Sequence, residues 1–115
     1  MRSTREISDN HERDVASRLG LRTVSGSGSS PFEKGDVKGD DILIECKTKM
    51  KASKSFTIQR DWMDKLVRQA RGMGKSTYAL ALNFGDEDNF YILTERHMKE
   101  YLHLKRKENE QWRAD

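Results

Sequence analysis

The fold is decided by residues 35–47, which read GDVKGDDILIECK. Apolar and polar side chains alternate through the second half of this stretch, which is the period-two pattern of a strand with one buried face. The small residues Gly39 and Asp40 suit the two-residue turn of a β-hairpin. The stretch is therefore predicted to form two antiparallel strands, with one acid near the start of the first strand and another near the end of the second.

The position of the turn determines which side chains share a face. If residues 39–40 form the turn, Asp36 pairs with Leu43. Side chains two apart along a strand share a face, so Glu45 and Lys47 emerge beside Asp36. The two carboxylates are then diagonal neighbours with Cβ atoms about 7–8 Å apart, which is close enough for both to coordinate one divalent cation. A three-residue turn would send Asp36 to the opposite face.

Two carboxylates and a lysine on one face suit phosphodiester hydrolysis. A divalent metal polarises the phosphate and lowers the pKa of a bound water, and a lysine stabilises the charge that develops on the phosphate. An acid-x-lysine triplet alone is weak support, because 36% of the residues are charged and the triplet occurs twice, at 36–38 and 45–47. The second triplet has a partner acid one strand away on the same predicted face, and the first does not.

Asp36, followed by Glu45-Cys46-Lys47 on the next strand, resembles the PD-(D/E)xK nuclease motif. More narrowly, residues 3–102 resemble the archaeal-type (Hjc-like) Holliday-junction resolvases, a type that some phages also carry. Gly35 stands where the named motif has proline, and the two acids are closer in sequence than in many relatives. These departures leave the substrate specificity more open than the chemistry.

The resemblance implies a Mg²⁺-dependent endodeoxyribonuclease that resolves four-way junctions by paired symmetric cleavage, with Mn²⁺ able to substitute. It implies that Asp36, Glu45 and the backbone carbonyl of Cys46 hold the metal, and that Lys47 orients or activates the attacking water. Glu12, on the first predicted helix, matches the place where the resolvases carry a further site glutamate. The alternative for Glu12 is an ordinary solvated helix residue.

DNA contact is predicted at three places. The small-residue loop before Asp36 offers backbone N–H groups and hydroxyls to phosphates, or else is a plain linker. The lysine run after residue 47 contains no acid and predicts salt-sensitive affinity, unless it is merely solvated. The resemblance adds the residues that open the second long helix. The predicted contacts are Ser25, Ser27, Ser29, Ser30, Lys49, Lys51, Lys54, Gln59 and Arg60.

The expected substrate also predicts the oligomeric state. A four-way junction needs two symmetric cuts, so one active site per chain implies a two-fold homodimer on branched DNA. The candidate dimer faces are Trp62, Met63, Trp112 and the final helix.

Periodicity predicts the remaining elements and a single domain, residues 1–115, with a charged tail at 104–115. Ser3 can cap the first helix and Gly20 can end it. The resulting order α-β-β-β-α-β-β-α matches a restriction-endonuclease-like core, an α/β fold with a mixed central sheet flanked by helices. The predicted helices are 4–19, 59–73 and one after residue 94, and the strands besides the hairpin are 22–24, 76–84 and 89–93.

Composition excludes several classes of protein. The chain of 115 residues has a net charge of +3 and one cysteine, which argues against a disulfide scaffold or a zinc finger and permits a nucleic-acid partner. No signal peptide or apolar run of membrane length is visible, so an intracellular protein is expected.

Residues 72–77 resemble part of a phosphate-binding P-loop, but Gln69 stands where that loop needs glycine, so no nucleotide cofactor is expected.

Two alternatives remain open from the sequence. One is another nuclease on the same core, such as a repair, restriction-like or nicking enzyme. The other is a non-catalytic DNA-binding module that keeps the fold. Acids on a DNA-facing surface argue against the second, because a binding module gains nothing from repelling phosphates.

Overall fold

The computed structural model describes residues 2–24 and 37–114, so the serine-rich loop at 25–30 and Asp36 lie outside the described residues. Within the described ranges, the helices and strands follow the predicted α-β-β-β-α-β-β-α order. They are α1 (Thr4–Leu19), β1 (Arg22–Thr23), β2 (Val37–Lys38), β3 (Ile42–Thr48), α2 (Arg60–Gly72), β4 (Thr77–Asn83), β5 (Asn89–Leu93) and α3 (Glu95–Ala114).

The strands form one mixed sheet in the order β1-β2-β3-β4-β5. The pair β3–β4 is parallel and the other neighbouring pairs are antiparallel. A parallel pair needs a long crossover connection, and α2 supplies it between β3 and β4. The predicted mixed α/β sheet flanked by helices is therefore confirmed.

Local signals account for the bounds of α1. The Ser3 side chain accepts a hydrogen bond from the Glu6 amide at 3.1 Å. Gly20 has φ of 68°, and its N–H reaches the carbonyls of the last helical turn. Glycine adopts this left-handed conformation at little cost and so ends the helix.

The two helices that flank the sheet bury opposite faces of β3. Ile44 belongs to the cluster under α1, and Leu43 belongs to the cluster under α2. Successive strand residues point to opposite faces. Cys46 therefore continues the α1 face, where it packs against that cluster, and Glu45 and Lys47 continue the α2 face. The α1 cluster contains Val15, Ala16, Val37, Ile44 and Ala81, and the α2 cluster contains Leu43, Leu66, Ala70, Leu80 and Leu82.

The hairpin turn lies one residue later than predicted. The Gly39 amide donates to the Ile42 carbonyl at 3.0 Å, so residues 40–41 are the central positions of the turn. Val37 consequently pairs with Ile44 rather than Ile42. The register predicted from a turn at 39–40 is wrong by two residues. A shift of two keeps each strand residue on its predicted face, because the side-chain period is two.

Tertiary contacts explain the position of the turn. The Lys75 Nζ donates to the carbonyls of Gly39 at 2.7 Å and Asp40 at 2.9 Å. Gly39 also packs closely under Leu21, because a Cβ on Gly39 would lie 2.7 Å from Leu21 Cδ2. Lys75, which lies in the P-loop-like stretch just after α2, therefore holds the hairpin turn in place through these two hydrogen bonds.

Gly85 is predicted to be essential for the packing of the segment that follows β3. Its φ is +88°, and a Cβ would lie 2.7 Å from the backbone of Ala52. Gly85→Ala is therefore expected to lower the free energy of unfolding by about 2–4 kcal/mol, through left-handed strain and a backbone clash. Gly72→Ala is the matched control, because it lies within α2 with nothing within 4 Å and should be neutral or stabilise by about 0.5–1 kcal/mol. Urea unfolding measures both, and equal stability of the two variants would contradict the packing argument.

The residues predicted as a charged tail continue α3 as a helix through Ala114. Large apolar side chains of α3 remain exposed in the single chain: Met98, Tyr101, Leu102, Leu104 and Trp112. None of the helices in the described part of the chain is both long enough and apolar enough to cross a membrane.

Candidate active site

Glu45 and Lys47 meet on the α2 face of the sheet. They are two residues apart on β3, and the Lys47 Nζ lies 3.7 Å from Glu45 Oε1. Their side chains are only 15% and 30% exposed, respectively. The shared face predicted for these two residues is therefore observed, and the pair is partly withdrawn from solvent.

The pair lines a depression of about 150 Å³ between β3 and α2. The Trp62 ring lies beneath the lysine, with 4.7 Å between the Lys47 Nζ and the ring centroid. The Gln69 Oε1 is buried and has no hydrogen-bond partner in the described part of the chain. It offers an acceptor to a donor that enters the depression. The lining residues are Glu45, Lys47, Trp62, Lys65, Leu66 and Gln69.

The depression has an excess of positive charge. Two lysines, Lys47 and Lys65, line it with one carboxylate, that of Glu45. In a partly buried site this imbalance attracts anions more strongly than it would in open solvent. On the opposite face of the sheet, burial raises the pKa of the Tyr91 phenol above its ordinary 10.0, which moves it further from physiological pH.

The described residues alone do not complete the predicted metal site around Glu45. Asp36 lies outside them. Glu12 is on α1, whose helix packs on the opposite face of the sheet, and it lines a separate depression that shares no residue with that of Glu45. The Cys46 side chain packs on the α1 face, and the predicted ligand is its backbone carbonyl. Among residues 2–24 and 37–114, no three His, Cys, Asp or Glu side chains come together to hold a metal ion.

The predicted DNA-contact residues follow the end of β3 and the start of α2. The Lys49 amide donates to the Asn83 carbonyl at 2.9 Å, and its Nζ lies 5.2 Å from the Phe56 ring centroid. Lys51 and Lys54 are exposed. The segment that carries them is thus fixed by its backbone to the end of β4, and the side chains of Lys51 and Lys54 face solvent. At the start of α2, Gln59 and Arg60 are also exposed, and the Arg60 Nε donates to Asp64 at 3.2 Å.

A larger depression, of about 340 Å³, lies where α1 meets the turn between β4 and β5. Three of its lining residues, His11, Asp14 and Asn83, are joined by hydrogen bonds through Asn89. The His11 Nε2 contacts Asn89 Oδ1 at 3.1 Å, and the Asn89 Nδ2 donates to Asp14 at 3.1 Å. Asn83 Nδ2 donates to Asn89 Oδ1 at 2.9 Å. Mutual satisfaction of this kind is typical of a structural network. The smaller depression, which holds the carboxylate–lysine pair, is therefore the candidate active site.

Trp62, Lys65 and Gln69 line the candidate site and were not among the residues predicted for it from the sequence. The apolar stripe at residues 62, 66 and 70 predicts core or interface rather than chemistry, and Leu66 and Ala70 are indeed buried in the α2 cluster. A signal was present, because Gln69 lies three residues after Leu66 and seven after Trp62, which puts a polar side chain on the buried face of an amphipathic helix.

Comparison with known proteins identifies one structural relative. No protein-family model matches the chain, and no curated protein matches it. The solved structure of Archaeoglobus fulgidus Hjc, a Holliday junction resolvase from an archaeal hyperthermophile, is similar, with 26% identity, a TM-score of 0.54 and 73% of each chain covered. The chain therefore has an Hjc-like fold, and the predicted restriction-endonuclease-like α/β core is confirmed.

Proposed function

We propose that this chain is a metal-dependent endodeoxyribonuclease that resolves four-way DNA junctions by paired symmetric cleavage. The observation that carries the proposal is the partly buried Glu45–Lys47 pair in a positively charged depression on an Hjc-like fold. A carboxylate can hold a divalent metal, and a lysine beside it can stabilise the charge that develops on the phosphate. The structural relative is a Holliday junction resolvase, which supports a nuclease of this kind.

The donor chemistry fits Mg²⁺, with Mn²⁺ as a substitute. Carboxylate and carbonyl oxygens are the hard ligands that these ions prefer. Asp36 directly precedes Val37, and Val37 pairs with Ile44, the residue before Glu45. We assign Asp36, Glu45 and the Cys46 carbonyl as the residues that would hold the metal. Glu12 lines a separate depression, so we assign it to a second metal position. A bound metal would polarise the phosphate and lower the pKa of a water.

Lys47 has the role of orienting the attacking water and stabilising the charge that develops on the phosphate. Its ammonium carries three donors on a flexible stem, and it is held beside Glu45 in a site with reduced access to water. Lys65 adds a second positive charge at the edge of the same depression. Together the lysines favour entry of a phosphodiester despite the carboxylate.

The flanks of the DNA would lie on the basic residues around this depression. Lysines and arginines that contact phosphates release counterions, so their contribution falls as salt rises. The loop serines would add neutral phosphate contacts. The assigned residues are Ser25, Ser27, Ser29, Ser30, Lys49, Lys51, Lys54, Gln59 and Arg60.

Two symmetric cuts require two active sites, so we propose a two-fold homodimer. The exposed apolar side chains of α3, among them Trp112 at 79% exposure, favour the final helix as the dimer face. Trp62 and Met63 pack against the α2 cluster and are less available for a partner. An intracellular setting, in a prokaryotic or phage-infected cell, follows from the proposed substrate.

The proposal is tested with an end-labelled synthetic four-way junction and a matched linear duplex. Mg²⁺ or Mn²⁺ should support paired symmetric nicks in the junction alone, and EDTA should abolish them, because the carboxylates lose the cation that they hold. Equal cutting of the duplex would favour another nuclease on the same core, such as a repair, restriction-like or nicking enzyme. Tight binding without cutting under either metal would contradict the proposal and favour a non-catalytic DNA-binding module.

A further inference from the structure

We propose that Trp62 is a positioning residue for Lys47: the face of the indole holds the lysine ammonium at the place where the reaction needs it. The catalytic consequence rests on the proposed nuclease function. The contact itself does not, because it is a property of the folded chain. Trp62 then has a role besides filling the core under α2.

The ion pair with Glu45 is too long to fix the ammonium by itself. The Nζ lies 3.7 Å from Glu45 Oε1, beyond the roughly 2.7–3.2 Å of a hydrogen bond with an N–H donor. A lysine side chain has four rotatable bonds and is 30% exposed here, so a second contact is needed to select one position. The Trp62 ring supplies that contact, at 4.7 Å from the Nζ to the centroid, within the range of a cation–π interaction.

Trp62 is itself held firmly, which a positioning residue requires. It begins the stripe of α2 that continues one turn later with the fully buried Leu66. On its other side it makes an edge contact with Phe56, at 6.2 Å between the ring centroids. Phe56 packs in turn against Phe84, at 5.7 Å. The indole is therefore a rigid platform between α2 and the end of the sheet, and the flexible lysine takes its position from it.

An aromatic ring does something here that another large apolar residue cannot. Tryptophan has the most electron-rich ring face among the side chains and attracts a cation directly, whereas leucine or methionine offers only dispersion. If Trp62 served packing alone, an aliphatic residue of similar burial would replace it without a specific effect on the reaction. This difference separates positioning from packing.

The first test compares cleavage of a saturating four-way junction by Trp62→Leu and Trp62→Phe. Trp62→Leu should lower kcat about tenfold with KM for the junction unchanged, since misplacing one catalytic group affects the chemical step. Trp62→Phe should recover most of that loss, because it restores an aromatic face. Met73→Leu is the packing control, since Met73 also packs against the α2 cluster, and it should cleave like the wild type. Wild-type kcat in Trp62→Leu, or a loss that Trp62→Phe does not rescue, would overturn the proposal.

A double variant tests whether Trp62 acts through Lys47. In a Lys47→Met background, Trp62→Leu should cause no further loss of kcat, because the group that it positions is gone. An equal loss of kcat in the presence and absence of the lysine would overturn the proposal and leave Trp62 a structural residue.

A fluorescence measurement without DNA separates this proposal from the proposed function. The chain has two tryptophans, so Trp112→Phe leaves Trp62 as the sole reporter. In that background Lys47→Met should change the Trp62 emission by removing the ammonium from its ring, and Lys54→Met should not. Unchanged emission in Lys47→Met would overturn the contact. A changed emission in a protein that cuts no DNA would support the contact between Lys47 and Trp62 and would refute the proposed nuclease function.

Discussion

Glu45→Gln is expected to abolish metal-dependent cleavage, lowering kcat by about a thousandfold or more. Glutamine matches glutamate in size, so the partly buried site should keep its packing. It lacks the negative charge, and a neutral amide is a much weaker ligand for Mg²⁺ than a carboxylate. Single-turnover cleavage of an end-labelled junction measures the loss.

The same substitution should leave binding of the junction equal or slightly tighter. Glu45 faces the phosphate in the proposed complex, and removing its charge removes a repulsion while Lys47 and Lys65 remain. A gel-shift assay in EDTA measures the binding, because without a metal the Glu45 charge is not neutralised and the junction is not cut. The combination of lost cleavage and retained binding distinguishes a metal ligand from a residue needed for folding or for contact with DNA.

Glu100→Gln is the matched control for Glu45→Gln. Glu100 also forms an ion pair, with Arg96 at 3.7 Å, but on α3 and with both side chains 57% exposed. Its loss should change stability by less than about 1 kcal/mol and should leave cleavage intact. Cleavage at the wild-type rate by Glu45→Gln would show that Glu45 is not a metal ligand and would contradict the proposed chemistry.

Elements whose ends are determined by neighbouring residues could be predicted from the sequence. The first helix has its cap at Ser3 and its stop at Gly20, both within one turn of the helix, and the predicted bounds match Thr4–Leu19. The strand Asn89–Leu93 was also predicted with its observed bounds, since an acidic glycine-containing turn and Thr94 delimit it. In both cases the deciding interactions are local, and local interactions are what a sequence displays.

The hairpin register could not be predicted, because distant residues decide it. Both residues 39–40 and residues 40–41 are acceptable turn centres by composition. The choice is made by Lys75, which is 36 positions from Gly39 and clamps the turn. The face of Glu45 and Lys47 was nevertheless predicted correctly, since an error of two residues preserves the alternation.

The α2 residues that line the candidate site could not be predicted for a related reason. Periodicity shows that α2 has an apolar stripe, but only the crossover from β3 to β4 shows that this stripe covers the face with Glu45 and Lys47. The position of Glu12 relative to Glu45 could not be predicted for the same reason. Its place beside the buried row of α1 is visible in the sequence, whereas the packing of α1 on the opposite face from Glu45 is a tertiary property. The role of Glu12 stays a prediction.

Lys47→Met is expected to lower kcat by about a hundredfold to a thousandfold, the loss typical of a removed group that stabilises transition-state charge. Methionine keeps an unbranched apolar stem that can still pack on Trp62, so the thermal midpoint should change little. The lost ion pair contributes less than about 1 kcal/mol once its partial exposure is allowed for. The variant therefore tests the chemistry of the ammonium with little disturbance of the fold.

Lys49→Met separates a lysine that acts in the reaction from one that contacts DNA. Lys49 lies two residues further along, and its Nζ rests 5.2 Å from the Phe56 ring instead of beside Glu45. Its loss should weaken junction binding and flatten the dependence of log Kd on log salt by about one unit, leaving kcat at saturation unchanged. Lys47→Met should show the reverse, with kcat falling far more than affinity. If both variants lose affinity alone, Lys47 belongs with the phosphate contacts, and the depression lacks the group that the proposed hydrolysis requires beside Glu45.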